Sequence, residues 1–265
     1  MTAPLVGSQS ARGHEHPVNQ DVIGSDPERR LWLVADGMGG HKAGEVAAGV
    51  VRDRVLDEVA QGRELTEAID AAHRAILEAA AADPERQGMG STVVAVQLDD
   101  GAARIAWVGD SRAYLLRDGA LRCLTRDHSL VQWLLEQNRI GPAEAANHPD
   151  RNVLVRTLGF EQPTADVVTV PIEPDDVLLL CSDGLSGVLS EAEIRGTLLA
   201  AASPQQAADE LVGAVVARQG RDDASVVVIR APARAKLASG PWLPVVIGIA
   251  AGVLAYLIWN WTTSP

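Results

Sequence analysis

One stretch limits the choice of fold more than any other: Arg30 to Ala48, RLWLVADGMGGHKAGEVAA. Leu31, Trp32, Leu33, Val34 and Ala35 form an unbroken apolar run, the mark of a strand covered on both faces and so of a layered fold. The run ends in Asp36, followed by Gly37, Met38, Gly39 and Gly40. Three glycines in four residues let the backbone turn sharply and approach a ligand closely. From Ala43 onward the pattern is helical, with Val51, Val55 and Val59 in i,i+4 steps. Strand, aspartate, glycine-rich turn and helix together are a recurrent way to present a metal or phosphate site. The same four parts also make a plain tight turn with a solvated carboxylate. The segment alone leaves both readings open.

The rest of the chain supplies the other layers. A second helix carries Leu65, Ile69, Ala72 and Ile76 on one stripe. Ser91 to Leu98 is β-branched and strand-like, and so are Arg104 to Val108, Ala113 to Leu116, Val167 to Ile172, Val177 to Cys181 and Ala224 to Ile229. Asp99-Asp100-Gly101 and Arg117-Asp118-Gly119 are hairpin signals. Ser129 to Gln137 reads as a helix, and Asn138 to Arg151 as a surface flap. Ser190 with Glu193 has capping-box spacing, and Ser203-Pro204 opens a further helix. Hairpin-linked strands with helices in blocks predict an α+β layered fold and not a βαβ alternation. The net charge of −12 argues against nucleic-acid binding through a basic face. Cys123 and Cys181 form no disulfide framework, and Cys181, inside VLLLCSDG, reads as a buried inert thiol.

Past residue 230 the composition changes. Residues 231–241, APARAKLASGP, read as a linker. Residues 242–261 are predominantly apolar, uncharged and have Trp242, Trp259 and Trp261 near their ends. At ~1.5 Å per residue such a helix spans roughly 30 Å, a bilayer core. Arg230, Arg234 and Lys236 precede it and no Lys or Arg follows, so the large domain is expected on the cytoplasmic side of a single-pass C-terminal membrane anchor. Gly248 and Gly252 put a small-residue stripe on one helix face, on which two copies can pair in lipid.

The chemistry lies in repeated aspartates. Asp36 follows LWLVA, Asp110 follows IAWVG, Asp183 follows LLLCS, Asp222 precedes the strand ASVVVI, and Asp21 lies near a fifth strand. Five carboxylates brought together repel one another unless cations lie between them. An oxygen-only set with no Cys/His cluster points to a hard metal, Mg²⁺ or Mn²⁺, and not to zinc. Two such ions held by carboxylates lower the pKa of a water for attack at phosphorus.

VADGMGGHKAGEVAA, GSTVVAV, WVGDSRAYLLRDGAL, LTRDHSLV, NVLVRTLG, LLLCSDGLSGVLS and RDDASVVVI resemble, in order, the motifs of the metal-dependent protein phosphatases of type 2C (the PPM family) in their bacterial form. The resemblance covers residues 1–230. It implies a central β-sandwich flanked by helix pairs, and hydrolysis of phosphoserine and phosphothreonine on proteins in opposition to a Ser/Thr kinase. It implies two core Mn²⁺ or Mg²⁺ ions with a bridging water, and a weaker third ion. Asp36 matches the residue bridging both ions and Gly37 the carbonyl ligand. Asp183 and Asp222 match the second-metal carboxylates, Asp21 the acidic residue of the first motif, and Asp110 the ligand of the third ion. Departures are equally specific. His16 stands where the family places the phosphate-binding Arg, with Arg12 nearby as a substitute, and Gln20 replaces a Glu. Met38 stands where eukaryotic members have a histidine acid, which leaves His41 or a bound water for that role. His73, His128 and His148 read as structural or surface residues. The competing readings are a catalytically silent metal-binding regulator at the membrane and a phosphatase dedicated to one regulatory partner.

Overall fold

The structure, a computed structural model, describes residues 3–39, 43–99, 101–145, 147–160 and 163–232. Strand β1 (Leu5–Ala11) is followed by β2 (Asp21–Asp26), β3 (Leu31–Met38) and helices α1 (Ala43–Ala60) and α2 (Leu65–Ala82). Then come β4 (Gly90–Ser91), β5 (Val93–Asp99), β6 (Ala102–Val108), β7 (Arg112–Arg117) and β8 (Ala120–Cys123). Helices α3 (Leu130–Glu136) and α4 (Pro142–Ala145) lead to β9 (Asp166–Pro171) and β10 (Val177–Cys181). The unit closes with α5 (Asp183–Ser186), α6 (Glu191–Ala200), α7 (Pro204–Ala217) and β11 (Ala224–Arg230).

Two antiparallel sheets result. One has the order β1-β11-β10-β7-β8, and the other the order β2-β3-β5-β6-β9 with β4 paired to β3. The apolar run of β3 shows why they stack. Leu31, Leu33 and Ala35 face α1 and α2, among Val51, Val55, Ile69 and Ile76. Trp32 and Val34 point the other way and meet Leu115, Leu178, Leu180 and Val227 of the first sheet. Alternate residues of one strand thus bury into two different apolar layers, which is why the run carries no polar residue. A third apolar layer joins the outer face of the first sheet to Ile194 and Leu198 of α6 and to Leu211 and Val215 of α7. Helices, sheet, sheet, helices is therefore the layer order, and α+β describes it.

Three local features go beyond the sequence reading. Leu5–Ala11 is an edge strand, paired with β11 from Leu5↔Arg230 to Ala11↔Ala224. Its sequence, LVGSQSA, has little apolar alternation, because only its contact with α7 is covered; a Cβ at Gly7 would lie 2.2 Å from the Gln205 nitrogen. The flap contains a helical turn, α4. Asp183 opens a one-turn helix and does not end a strand. The capping box at α6 is formed as read, with Ser190 and Glu193 bonded reciprocally. Among the described residues no helix is long and apolar enough to cross a membrane. The stretch 242–261 lies outside the described residues.

Candidate metal centre

The carboxylates gather where the two sheets meet at one end. Asp21 and Asp36 are directly opposite each other in the β2–β3 ladder, so their side chains leave the sheet on the same face. Asp183 begins α5, immediately beyond β10, and Asp222 precedes β11, the neighbour of β10 in the other sheet. Asp110 sits in the crossing from β6 of one sheet to β7 of the other. Five chain segments on two sheets therefore bring acids to one place.

The electrostatics record the convergence. Asp36 is held well above the ordinary carboxyl pKa by burial and then by the charges of Asp21, Asp183, Asp110 and Asp222. Burial also drives Asp21 well up, against hydrogen bonds from Ser182 and Ser225, with Asp223 and Asp183 adding to the rise. Asp110 is raised well above the ordinary value by burial, then by Asp183 and Asp127. Asp183 is raised to about 6 by burial and by Asp222, with a hydrogen bond from Asp36 opposing them. Oδ1 of Asp21 and Oδ1 of Asp183 are buried with no hydrogen-bond partner. Buried acceptors without donors cost free energy unless a cation completes them. The donors present, carboxylate oxygens without thiols, suit Mg²⁺ or Mn²⁺.

The backbone around the cluster is braced. Asp36 exchanges bonds with Thr92: Thr92 N donates to Asp36 O at 2.8 Å, and Asp36 N donates to Thr92 Oγ1 at 3.2 Å. Ser91 Oγ also donates to Asp36 O, at 3.0 Å. Gly37 must be glycine, because a Cβ there would lie 1.9 Å from Gly44 O at the start of α1. Ser182 Oγ donates to Asp21 Oδ2 at 2.7 Å and accepts from Ser225 N at 3.0 Å.

Asp223, which by the resemblance stands where the family has an Asn and to which the sequence assigns no role, is 2% exposed and forms a hub. It accepts from Gly13 N at 2.7 Å, from Gln20 N at 2.7 Å and from His16 Nδ1 at 2.9 Å. It therefore pins the loop between β1 and β2 against the Asp222 turn. An Asp-Asp pair before a strand was the visible signal, but nothing in it tells the ligand from the brace. His16 Nδ1 also stands 3.5 Å from Asp222 Oδ1. Burial lowers the His16 pKa, yet the bond to Asp223 and the charges of Asp223, Asp222 and Glu15 outweigh it, and the net shift is upward. Arg12 Nη1 donates to His16 O, which supports the loop that presents the imidazole. Among the described residues, His16, Asp222 and Asp223 are the one group whose donor atoms all lie within 4.8 Å of one another. We read the His16–Asp223 pair as a hydrogen-bonded brace, since Asp223 already has three donors, and leave Asp222 to the acid cluster around Asp36. Asp21 and Asp183, beside Asp36, carry the unpaired carboxylate oxygens. His41 lies outside the described residues. Beside Met38, residues Leu154, Val155, Arg156, Phe160 and Pro163 line an open groove of about 1000 Å³.

A sandwich of two sheets with buried, oxygen-only, mutually repelling acids at its end defines a divalent-cation hydrolase centre. The chain belongs to the protein phosphatase 2C family, whose model matches residues 9–218. It is similar to the serine/threonine phosphatase stp of Listeria welshimeri, with 35% identity over 227 residues, 82% of this chain and 90% of that protein. The crystal structure of the Mycobacterium tuberculosis serine/threonine phosphatase PstP/Ppp superposes with a TM-score of 0.80 at 32% identity, covering 87% of this chain and 100% of that one. A structure of the PstP catalytic domain in complex with 2 manganese ions gives a TM-score of 0.77 at 32% identity, covering 86% and 99%.

Proposed function

We propose that this chain is a protein serine/threonine phosphatase that cleaves phosphoserine and phosphothreonine esters at a centre of two Mn²⁺ or Mg²⁺ ions, opposing a Ser/Thr kinase. The observation that carries the reading is the set of buried aspartates with unpaired oxygens at Asp21 and Asp183. Bound ions would offset the repulsion among these carboxylates and lower the pKa of a water for in-line attack at phosphorus. Asp36, which feels all four other charges, is the bridging ligand in this reading. Gly37 offers its carbonyl, Asp183 and Asp222 complete the second ion, Asp21 supports the pair through Ser182, and Asp110 serves the weaker third ion. His16, with Nδ1 on Asp223, keeps Nε2 for a phosphate oxygen. His41 is the candidate acid that gives its proton to the leaving seryl or threonyl oxygen as the P–O bond breaks. The groove beside Met38 takes the peptide around the phosphorylated residue.

The test is release of phosphate from a phosphothreonine peptide. Turnover is expected with Mn²⁺ or Mg²⁺ and none in excess EDTA; full activity in EDTA would refute the two-ion reading.

The remaining parts of the reading concern the tail. We assign residues 1–230 to the phosphatase domain, 231–241 to a linker and 242–261 to a membrane helix that keeps the domain at the cytoplasmic face. Two copies pair there through Gly248 and Gly252. The length and apolar composition of 242–261 support this. The full chain is expected to sediment with membranes, and residues 1–236 to stay in the supernatant with equal activity. Full chain in the supernatant removes the anchor.

A further inference from the structure

His128 has no part in the reading above, yet it is 5% exposed and its Nε2 has no close hydrogen-bond partner. Its other contacts are specific. His128 Nδ1 accepts from Gly109 N at 3.1 Å, and His128 N donates to Gly109 O at 2.9 Å. One residue thus holds both the N–H and the C=O of Gly109, on the two successive peptide units that lead into Asp110. Gly109 has φ +108°, and a Cβ there would lie 2.6 Å from Thr92 Cβ, so this turn has no alternative side chain to anchor it. Because Nδ1 accepts, the neutral ring carries its proton on Nε2. That nitrogen faces Asp166 Oδ2 at 3.4 Å. Asp166 Oδ1 in turn accepts from Arg156 Nη1 at 2.7 Å, and Arg156 lines the groove beside Met38. The backbone repeats the link: Val155 N donates to His128 O at 2.9 Å. The ring is fixed in plane by Trp107, stacked at 6.1 Å between centroids and 21° between planes. Arg156, Asp166 and Asp127 are the charged groups that act on it, and burial is the largest influence, holding the pKa below the ordinary histidine value.

We propose that His128 is a positioning residue that fixes the Asp110 turn in register with the groove segment 152–166, so that the peptide contacts and the Asp110 carboxylate meet one phosphorylated residue together. This rests on the phosphatase reading. Its consequence is selective: a phosphopeptide uses both ends of the tie, whereas p-nitrophenyl phosphate uses only the metal side. His128 reaches Asp110 through the Gly109 backbone and touches no reacting atom.

The experiment compares wild type, His128→Ala, His128→Asn and Asp166→Asn in the full chain. Three measurements are made on each: kcat/KM on a phosphothreonine peptide, kcat/KM on p-nitrophenyl phosphate, and Mn²⁺ binding by electron paramagnetic resonance. Asn can place its Oδ1 where Nδ1 stood, and so restores the Gly109 bond while losing the Asp166 arm. His128→Ala is expected to lower the peptide constant about tenfold more than the p-nitrophenyl phosphate constant and to weaken the weakest Mn²⁺ site, a loss typical of a group that orients a ligand. His128→Asn should recover the Mn²⁺ binding but not the peptide preference. Asp166→Asn should lower the peptide constant alone. Equal losses on both substrates, or no loss, would overturn the proposal. If His128→Ala does not fold, Asp166→Asn, on an accessible side chain, decides by the same ratio. A wild type inactive on both substrates would sink the phosphatase reading. The Mn²⁺ titrations across the four proteins, and ¹⁵N shifts that show the His128 ring as the Nε2–H tautomer set by the Gly109 N–H, would still judge the tie.

Discussion

Asp36→Asn is expected to lower kcat on a phosphothreonine peptide on the order of 10³-fold while leaving the protein folded. The side chains are isosteric, so the packing at the end of β3 is unchanged. The three hydrogen bonds that hold this residue's backbone to Ser91 and Thr92 involve main-chain atoms of residue 36 and persist. What is lost is one negative charge at the position that feels Asp21, Asp183, Asp110 and Asp222 together. The same loss relieves repulsion in the metal-free protein, so the variant should unfold at a higher temperature than wild type in EDTA. A catalytic residue and a merely structural one therefore separate cleanly: the first loses turnover and gains metal-free stability, the second loses both. Turnover within tenfold of wild type would remove Asp36 from the bridging role.

The layers were legible because apolar patterning reports burial directly. The run at β3 announced a strand covered twice, and the structure bears this out through Leu33 on one side and Val34 on the other. The aspartates were legible for a different reason. Each follows or precedes an apolar strand, and strand ends on a sandwich come out at a common edge. Geometry was not legible where it depends on tertiary partners. Asp222 and Asp223 are adjacent and chemically identical, yet Asp223 is buried under three donors and Asp222 is not. His128 read as a structural residue because its partners, Gly109 and Asp166, lie far from it in sequence and come to it from the β6–β7 turn and the first residue of β9. The edge strand β1 was invisible since an edge buries only one side and needs little alternation.

The metal-free protein is expected to lose stability as the pH rises from 5.5 to 8, the reverse of ordinary acid denaturation. The sign follows from linkage. In the folded chain Asp183 titrates at about 6 against 3.8 for an unperturbed aspartate, and Asp21, Asp36 and Asp110 are raised as well. A carboxyl raised on folding binds its proton more tightly in the folded state, so stability falls with pH from the unfolded value up through the folded one. Over its whole range, from below 3.8 to above 6, the Asp183 shift corresponds to about 3 kcal/mol as an upper figure, of which less than about 1 kcal/mol falls between pH 5.5 and 8. The carboxyls lowered on folding, Glu15, Asp26, Asp166 and Glu193, lose their contribution only as pH falls through the acid range and leave this window untouched. Among the histidines, His16 is raised and adds to the loss, whereas His73 and His128 are lowered and oppose it. Asp183→Asn separates the carboxyl part, because it should flatten the slope while the histidines stay in place. Mn²⁺ reverses the trend, since the ions bind the deprotonated carboxylates and protons compete with them. In a thermal melt, the gain on adding Mn²⁺ should be roughly 5–10 °C larger at pH 8 than at pH 5.5. An equal gain at both values would mean that these aspartates are not where the ions bind.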